Sequence, residues 1–164
     1  MDASRRSFLR GRMAVAENAT SALRPPWAVG ETRFVAVCTR CSACADACPT
    51  RVIVAGAGAY PTLDFRRGEC TLCGECVTAC ADGALQQTTG ETPWQQYPHV
   101  ATHCLAHGNV ECRVCAENCE RGAIRFRPRL GGVALPEVDA AACNGCGACV
   151  APCPVGALNV ERMQ

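Results

Sequence analysis

The stretches CTRCSACADAC (38–48), CTLCGECVTAC (70–80) and CNGCGACVAPC (143–153) carry one spacing, C-x2-C-x2-C-x3-C, without deviation. A fourth stretch, CLAHGNVECRVCAENC (104–119), opens with a seven-residue gap and then continues C-x2-C-x3-C. Together they use all sixteen cysteines of the 164-residue chain. From the last cysteine of one group to the first of the next, the numbering advances by 22, 24 and 24. Self-similarity at a near-constant period marks a repeated structural unit.

Sixteen cysteines admit a disulfide scaffold, zinc sites or iron–sulfur clusters. Disulfides require an oxidising compartment and an export signal. Residues 1–30 contain no apolar run of 15 or more, so they offer neither an ordinary signal peptide nor a membrane anchor. Zinc ribbons use pairs of cysteines, C-x2-C, separated by about 15–20 residues. Three cysteines at 0, +3 and +6 with a fourth at +10 are poor zinc geometry and good cubane geometry. A C-x2-C-x2-C loop wraps three thiolates around one face of a [4Fe–4S] cube, while the fourth cysteine points away and binds the other cluster of a pair. On that rule Cys38, Cys41 and Cys44 share a site with Cys80, and Cys70, Cys73 and Cys76 share one with Cys48. Likewise Cys104, Cys112 and Cys115 pair with Cys153, and Cys143, Cys146 and Cys149 with Cys119. The expected cofactors are four [4Fe–4S] clusters. The third group is the irregular one: unless loop 105–111 folds back, its site holds a labile or three-iron cluster.

Composition explains why the chain needs them. Leu, Ile, Val and Phe number thirty, about 18% of the residues, below the roughly 20% at which sequences begin to read as disordered. So thin a core does not offset the entropy of ordering the chain, and ligands that cross between groups would replace it. Four and five residues past the last cysteine of each group stand Val52-Ile53, Ala84-Leu85, Ala123-Ile124 and Ala157-Leu158. A small or branched residue followed by a larger aliphatic one is expected to cover each cluster at the start of a strand. VIVA (52–55), AIRF (123–126) and RFVAV (33–37) suit short strands. The fourth cysteine of each group is expected on a short helix, re-set by proline at Cys48-Pro49 and Cys153-Pro154.

The expected fold is α+β: two tandem bacterial two-cluster ferredoxin-like modules with short strands and short cluster-binding helices. The first spans 34–88 and the second 103–162, joined by a polar linker, 89–102, whose Trp94 and Tyr97 dock onto one half. Residues 1–33 form an extension without metal ligands, with a short helix near 4–23 stopped by RPPW (24–27). Within it SRRSFLR (4–10) matches the core of a twin-arginine export signal. Arg10, Gly11 and Arg12 interrupt the apolar stretch such a signal needs, so it reads as uncleaved and non-exporting.

Formal net charge is +1, and every basic residue is Arg. A thiolate-bound cube carries about −2, so four would bring the total to about −7. An acidic holo-protein argues against a nucleic-acid partner. His99, His103 and His107 recur every four residues around Cys104 and read as surface residues, with a ligand role as the alternative. No nucleophile–base pair, phosphate loop or flavin motif is present, so the chain does not read as an enzyme.

With SRR at 4–6, RPPW at 24–27, AGAGAYP at 55–61, VECRVC at 110–115, FRP at 126–128 and CNGCGAC at 143–149, the chain resembles the NapF-type ferredoxins. These are accessory proteins of the periplasmic nitrate reductase system, and the similarity runs from residue 2 to about 160. The resemblance implies a cytoplasmic protein without a membrane span. It also implies contact with the catalytic molybdenum subunit of periplasmic nitrate reductase before export, and help with its maturation by cluster assembly or electron donation. The sixteen cysteines carry over position by position. Cys80-Ala81, where ferredoxin motifs read Cys-Pro, departs from the pattern but leaves the ligands intact. A general electron-transfer ferredoxin, or the iron–sulfur subunit of a redox complex, is the alternative.

Overall fold

The computed structural model describes residues 22–87, 93–94 and 96–162. SRRSFLR (4–10) and nearly all of the helix expected near 4–23 lie outside the described residues.

The described elements are short. Helix α1 is Glu31–Val37, and three single-turn helices follow: α2 Ala43–Asp46, α3 Glu75–Thr78 and α4 Val114–Glu117. The strands are β1 Ile53–Ala55, β2 Pro61–Leu63, β3 Gln96–Val100, β4 Ile124–Arg129, β5 Gly132–Val138 and β6 Leu158–Arg162. They pair as three antiparallel two-stranded sheets, β1–β2, β3–β6 and β4–β5.

The two halves repeat one topology. In each, a hairpin lies between the cysteine groups: β1–β2 in the first, with Ile53 opposite Leu63, and β4–β5 in the second, with Ile124 opposite Val138. In each, the segment before the first group pairs with the segment after the second. The pairing is a single bridge, Ala28 to Leu85, in the first half. In the second it is the full β3–β6 ladder from Gln96 opposite Arg162 to Val100 opposite Leu158. Strand β3 thus forms inside the segment expected as a linker.

The aliphatic repeat is buried at all eight positions: Val52, Ile53, Ala84, Leu85, Ala123, Ile124, Ala157 and Leu158 are each at most 5% exposed. Ile53, Ile124 and Leu158 each open a strand. Fixed distance from the last cysteine therefore sets both where the chain turns extended and which side chain faces inward.

Two local expectations are corrected. RFVAV (33–37) is helical, with the Phe34 amide donating to Gly30 O at 2.8 Å and the Cys38 amide to Phe34 O at 2.9 Å. A strand there would bury alternate residues, but Phe34 alone is buried while Val35 is exposed. The α1 start is tied down instead by Arg24, whose Nη2 donates to Glu31 Oε1 at 2.6 Å and whose Nη1 donates to Pro61 O at 3.1 Å. The same guanidinium lies 4.8 Å from the Phe34 ring centroid and 5.4 Å from that of Tyr60, a cation–π arrangement. The second correction concerns the cluster-loop helices. They hold the third cysteine of groups one to three and close before the fourth, and three residues past the fourth cysteine Arg51, Gly83 and Gly122 sit at φ 54°, 69° and 59°. In group four this segment is only a turn.

Phe34 is fully buried against Val52, Leu85 and their neighbours, whereas Val35 is 42% exposed. Phe34→Ala should therefore lower the stability of the iron-loaded protein by about 3–5 kcal/mol, and Val35→Ala by less than about 0.5 kcal/mol. Urea midpoints followed by loss of visible absorbance check both.

Candidate metal centre

The cysteine loops owe their shape to strained backbone. In group one the residues flanking the middle cysteine, Arg40 and Ser42, have φ 62° and 67°, and in group two Leu72 has φ 56° and Gly74 φ 82°. Non-glycine residues rarely enter this left-handed region, and such strain persists only where surrounding structure enforces it. Its effect is to swing the chain around each middle cysteine so that three thiols face one space. Backbone amides also face the sulfurs. Ala123 N donates to Cys119 Sγ at 3.3 Å, Ala157 N to Cys153 Sγ at 3.2 Å and Gly145 N to Cys143 Sγ at 3.4 Å.

All sixteen cysteines are unpaired. Cys38, Cys41 and Cys44 line one pocket with Cys80, walled by Phe34, Val54, Pro61, Ala84 and Leu85. Cys104, Cys112 and Cys115 line a second with Cys153, walled by Val100, Leu105, Phe126 and Leu158. The chain thus brings together three cysteines of one group and the last cysteine of its partner group. The irregular loop folds back to achieve this: Gly108 N donates to Cys104 O, Asn109 N to Ala106 O and Val110 N to Leu105 O, all within 3.1 Å. Asn109 Oδ1 accepts from Arg129 Nη2 and Val133 N, anchoring the loop to the β4–β5 hairpin.

The electrostatics of the other two sets follow the same grouping, with neighbouring sets adding to it. Burial pushes the Cys76 thiol up to about 12, with the charges of Cys70, Cys44, Cys73 and Cys48 adding to it. Burial likewise raises Cys70 to about 11, with Cys48 and Cys73 contributing. Cys149 is raised to about 12 by burial and by Cys146 and Cys143, and Cys143 is raised by burial with Cys119 behind it. Cys44 and Cys115 stand at about 11 for the same reasons, burial first and then the other cysteines of their own sets. Cys48 runs the other way. Burial raises it, but the Thr50 hydroxyl and the amides of Val52, Ile53 and Thr50 together outweigh burial and lower it.

These observations test what the sets can hold. Four clustered cysteine sulfurs, which repel one another once deprotonated, need a cationic guest that touches all of them. Among the described residues no group of three or more His, Cys, Asp or Glu side chains is arranged to hold one metal ion. In the first and third sets the four sulfurs line one pocket, which suits a guest with several metal corners. The donor set is all cysteine sulfur and the walls are largely apolar, which fits an iron–sulfur cube. His99, His103 and His107 are all exposed, His99 on β3 and the other two in turns, so the single helical face sketched by their spacing does not form.

Sequence spacing did not single out Phe65, the anchoring role of Arg24 or the fit of Phe65 against Gly147. Phe65 is 4% exposed, and a Cβ on Gly147 would overlap its ring. Trp94, expected to dock, donates from Nε1 to Asn144 O at 2.8 Å and meets Phe65 edge-on, ring centroids 6.4 Å apart.

Comparison with known proteins agrees with this chemistry. Residues 37–85 and 110–157 each match a 4Fe-4S dicluster domain model. Over its full length the chain is 43% identical to the ferredoxin-type protein NapF of Escherichia coli, covering 98% of that relative. It is 42% identical to NapF of Haemophilus influenzae, covering 98% of the chain and 94% of the relative. The methylamine utilization ferredoxin-type protein MauM of Methylobacillus flagellatus is 32% identical over 90% of the chain and 69% of its own length. No solved structure matches the chain.

Every ligand thiol must lose its proton to bind metal. Thiols raised to about 11 or 12 are protonated at neutral pH in the metal-free chain, so iron binding expels protons. Iron uptake by the reduced, metal-free chain at limiting iron and sulfide should therefore rise steadily as pH increases from about 7 to about 9. Iron bound per chain measures this, and a flat profile contradicts it.

Proposed function

The chain belongs to the NapF family of ferredoxin-type proteins, and from that premise we propose that it is a cytoplasmic accessory protein of nitrate reductase maturation. In this reading it binds the catalytic subunit of periplasmic nitrate reductase before export and assists its assembly, by supplying clusters or electrons. The observation that carries the reading is full-length similarity to NapF, 43% over 100% of the chain, rather than to the cysteine loops alone.

The proposed architecture is α+β, two tandem bacterial ferredoxin-like modules at 34–88 and 103–162. Four [4Fe–4S] clusters are assigned to the crossed sets: Cys38, Cys41, Cys44 and Cys80; Cys70, Cys73, Cys76 and Cys48; Cys104, Cys112, Cys115 and Cys153; Cys143, Cys146, Cys149 and Cys119. When bound, such clusters supply reversible one-electron chemistry. The chain's own residues hold and tune them. The amides of Ala123, Ala157 and Gly145 direct partial positive charge at Cys119, Cys153 and Cys143. Val54, Leu85, Phe126 and Leu158 keep water from the pocket walls. Cys41 is the exposed member of the first set and gives a partner its nearest approach there. No residue is assigned a catalytic role. Among the described residues no helix is long and apolar enough to cross a membrane.

The second reading, a general electron carrier or a subunit of a redox complex, is favoured by the MauM likeness, a ferredoxin-type protein named for another metabolic system. Three measurements test these accounts, the first their shared cluster assignment and the other two the difference between them. Anaerobically purified chain should contain about sixteen irons and about sixteen sulfides, whereas about four zincs and no sulfide would overturn the cluster assignment. The catalytic subunit should co-purify with the chain. Converting Cys38, Cys41, Cys44 and Cys48 to Ser should abolish mature reductase even when electrons are supplied by another route. Normal maturation with slowed turnover would select the carrier reading instead.

A further inference from the structure

The two halves are not independent beads. The Cys70 amide donates to the Cys146 carbonyl at 2.8 Å, joining the start of one cysteine loop in the first half to the middle of one in the second. Phe65, just ahead of Cys70, fills the place where Gly147 lacks a side chain. Trp94, edge-on to Phe65, holds the same loop through Asn144. Val150, beside Cys149, packs against the apolar clusters of both halves. The loops brought into contact belong to the set of Cys70, Cys73, Cys76 and Cys48 and to the set of Cys143, Cys146, Cys149 and Cys119.

Contacts inside each half extend this junction outward. Cys44 of the first set and Cys76 of the second belong to one packed cluster in the first half. Cys115 of the third set and Cys149 of the fourth are buried together in the other. Electrostatics traces the same neighbours: behind burial, Cys76 feels the charge of Cys44, Cys70 that of Cys146, and Cys149 that of Cys115.

We infer that Phe65, Gly147 and the Cys70–Cys146 contact dock the two modules so that the four cysteine sets form one continuous row, ordered first, second, fourth, third. The order is not the order of the sequence. The Cys38 and Cys104 sets stand at opposite ends, giving the protein two separate redox faces. A low-potential one-electron donor at one end and a one-electron-accepting redox centre of a partner protein at the other would then be connected through the chain. With clusters bound, the sets would supply one-electron transfer between neighbours, one site being oxidised as the next is reduced, with no bond or proton exchanged. Phe65 is a positioning residue here: it sets the spacing of the central pair. This inference rests on the four-cluster assignment above.

The test uses full-length chains in which two sets are removed and two kept. Cys38→Ser, Cys41→Ser, Cys104→Ser and Cys112→Ser together remove the end sets and leave the central pair. Cys70→Ser, Cys73→Ser, Cys143→Ser and Cys146→Ser leave the ends. Each variant should retain about half the iron of the wild type. After dithionite reduction, electron paramagnetic resonance should show spin–spin interaction between the two clusters in the central-pair variant. The end-pair variant should give two non-interacting signals. Half the iron with two isolated signals in the central-pair variant overturns the row while leaving the ligand sets standing. Iron that does not fall by about half overturns the ligand sets themselves. Should these variants fail to fold, small-angle X-ray scattering of the iron-loaded wild type decides. One compact particle is expected, extended in Phe65→Ala with its iron retained, and a two-body profile for the wild type overturns the docking.

Discussion

Gathering like-charged thiolates from distant chain segments into apolar pockets is unfavourable unless something cationic joins them, and the rest of the structure follows from that constraint. Burial and mutual repulsion already push Cys76 and Cys149 to about 12. A metal guest would reverse the sign of this contribution, turning repulsion among thiolates into bonds that link segments far apart in sequence. The elements around the pockets are correspondingly slight. Strands of three residues and helices of four, as in β1 and α2, hold little stability of their own.

Much of this was legible in the residues because it repeats at fixed offsets from the cysteines. Ala123-Ile124 and its three counterparts are buried because their distance from the preceding cysteine fixes where they fall relative to the pocket. The crossed grouping of Cys80 with Cys38, Cys41 and Cys44 followed from the direction in which a fourth cysteine leaves the loop. Features decided by long-range contact were not legible. RFVAV (33–37) has the composition of a strand, yet it finds no strand partner and becomes helical around one buried residue, Phe34. Arg24 is buried because Glu31, Pro61 and two aromatic rings converge on it, and no local pattern announces that. The fit of Phe65 against Gly147 joins positions from different halves, with no periodicity to betray it.

The repeat also has a functional reading. Two halves of the same topology, each matching a 4Fe-4S dicluster domain, make this an iron–sulfur protein of the ferredoxin type. Its relatives include NapF proteins of similar length and a MauM protein of which it covers 69%. The same ferredoxin-type frame thus recurs under names belonging to different metabolic systems.

The central claim is that metal bound by crossed thiolates serves as the interior of this molecule. Far-ultraviolet circular dichroism of the anaerobic chain, recorded before and after complete iron removal by chelator under reducing conditions, tests it most directly. Loss of ordered secondary structure together with iron is the predicted result, because folding and ligand binding are coupled when the apolar core is thin. An unchanged spectrum from a compact, iron-free chain would contradict it.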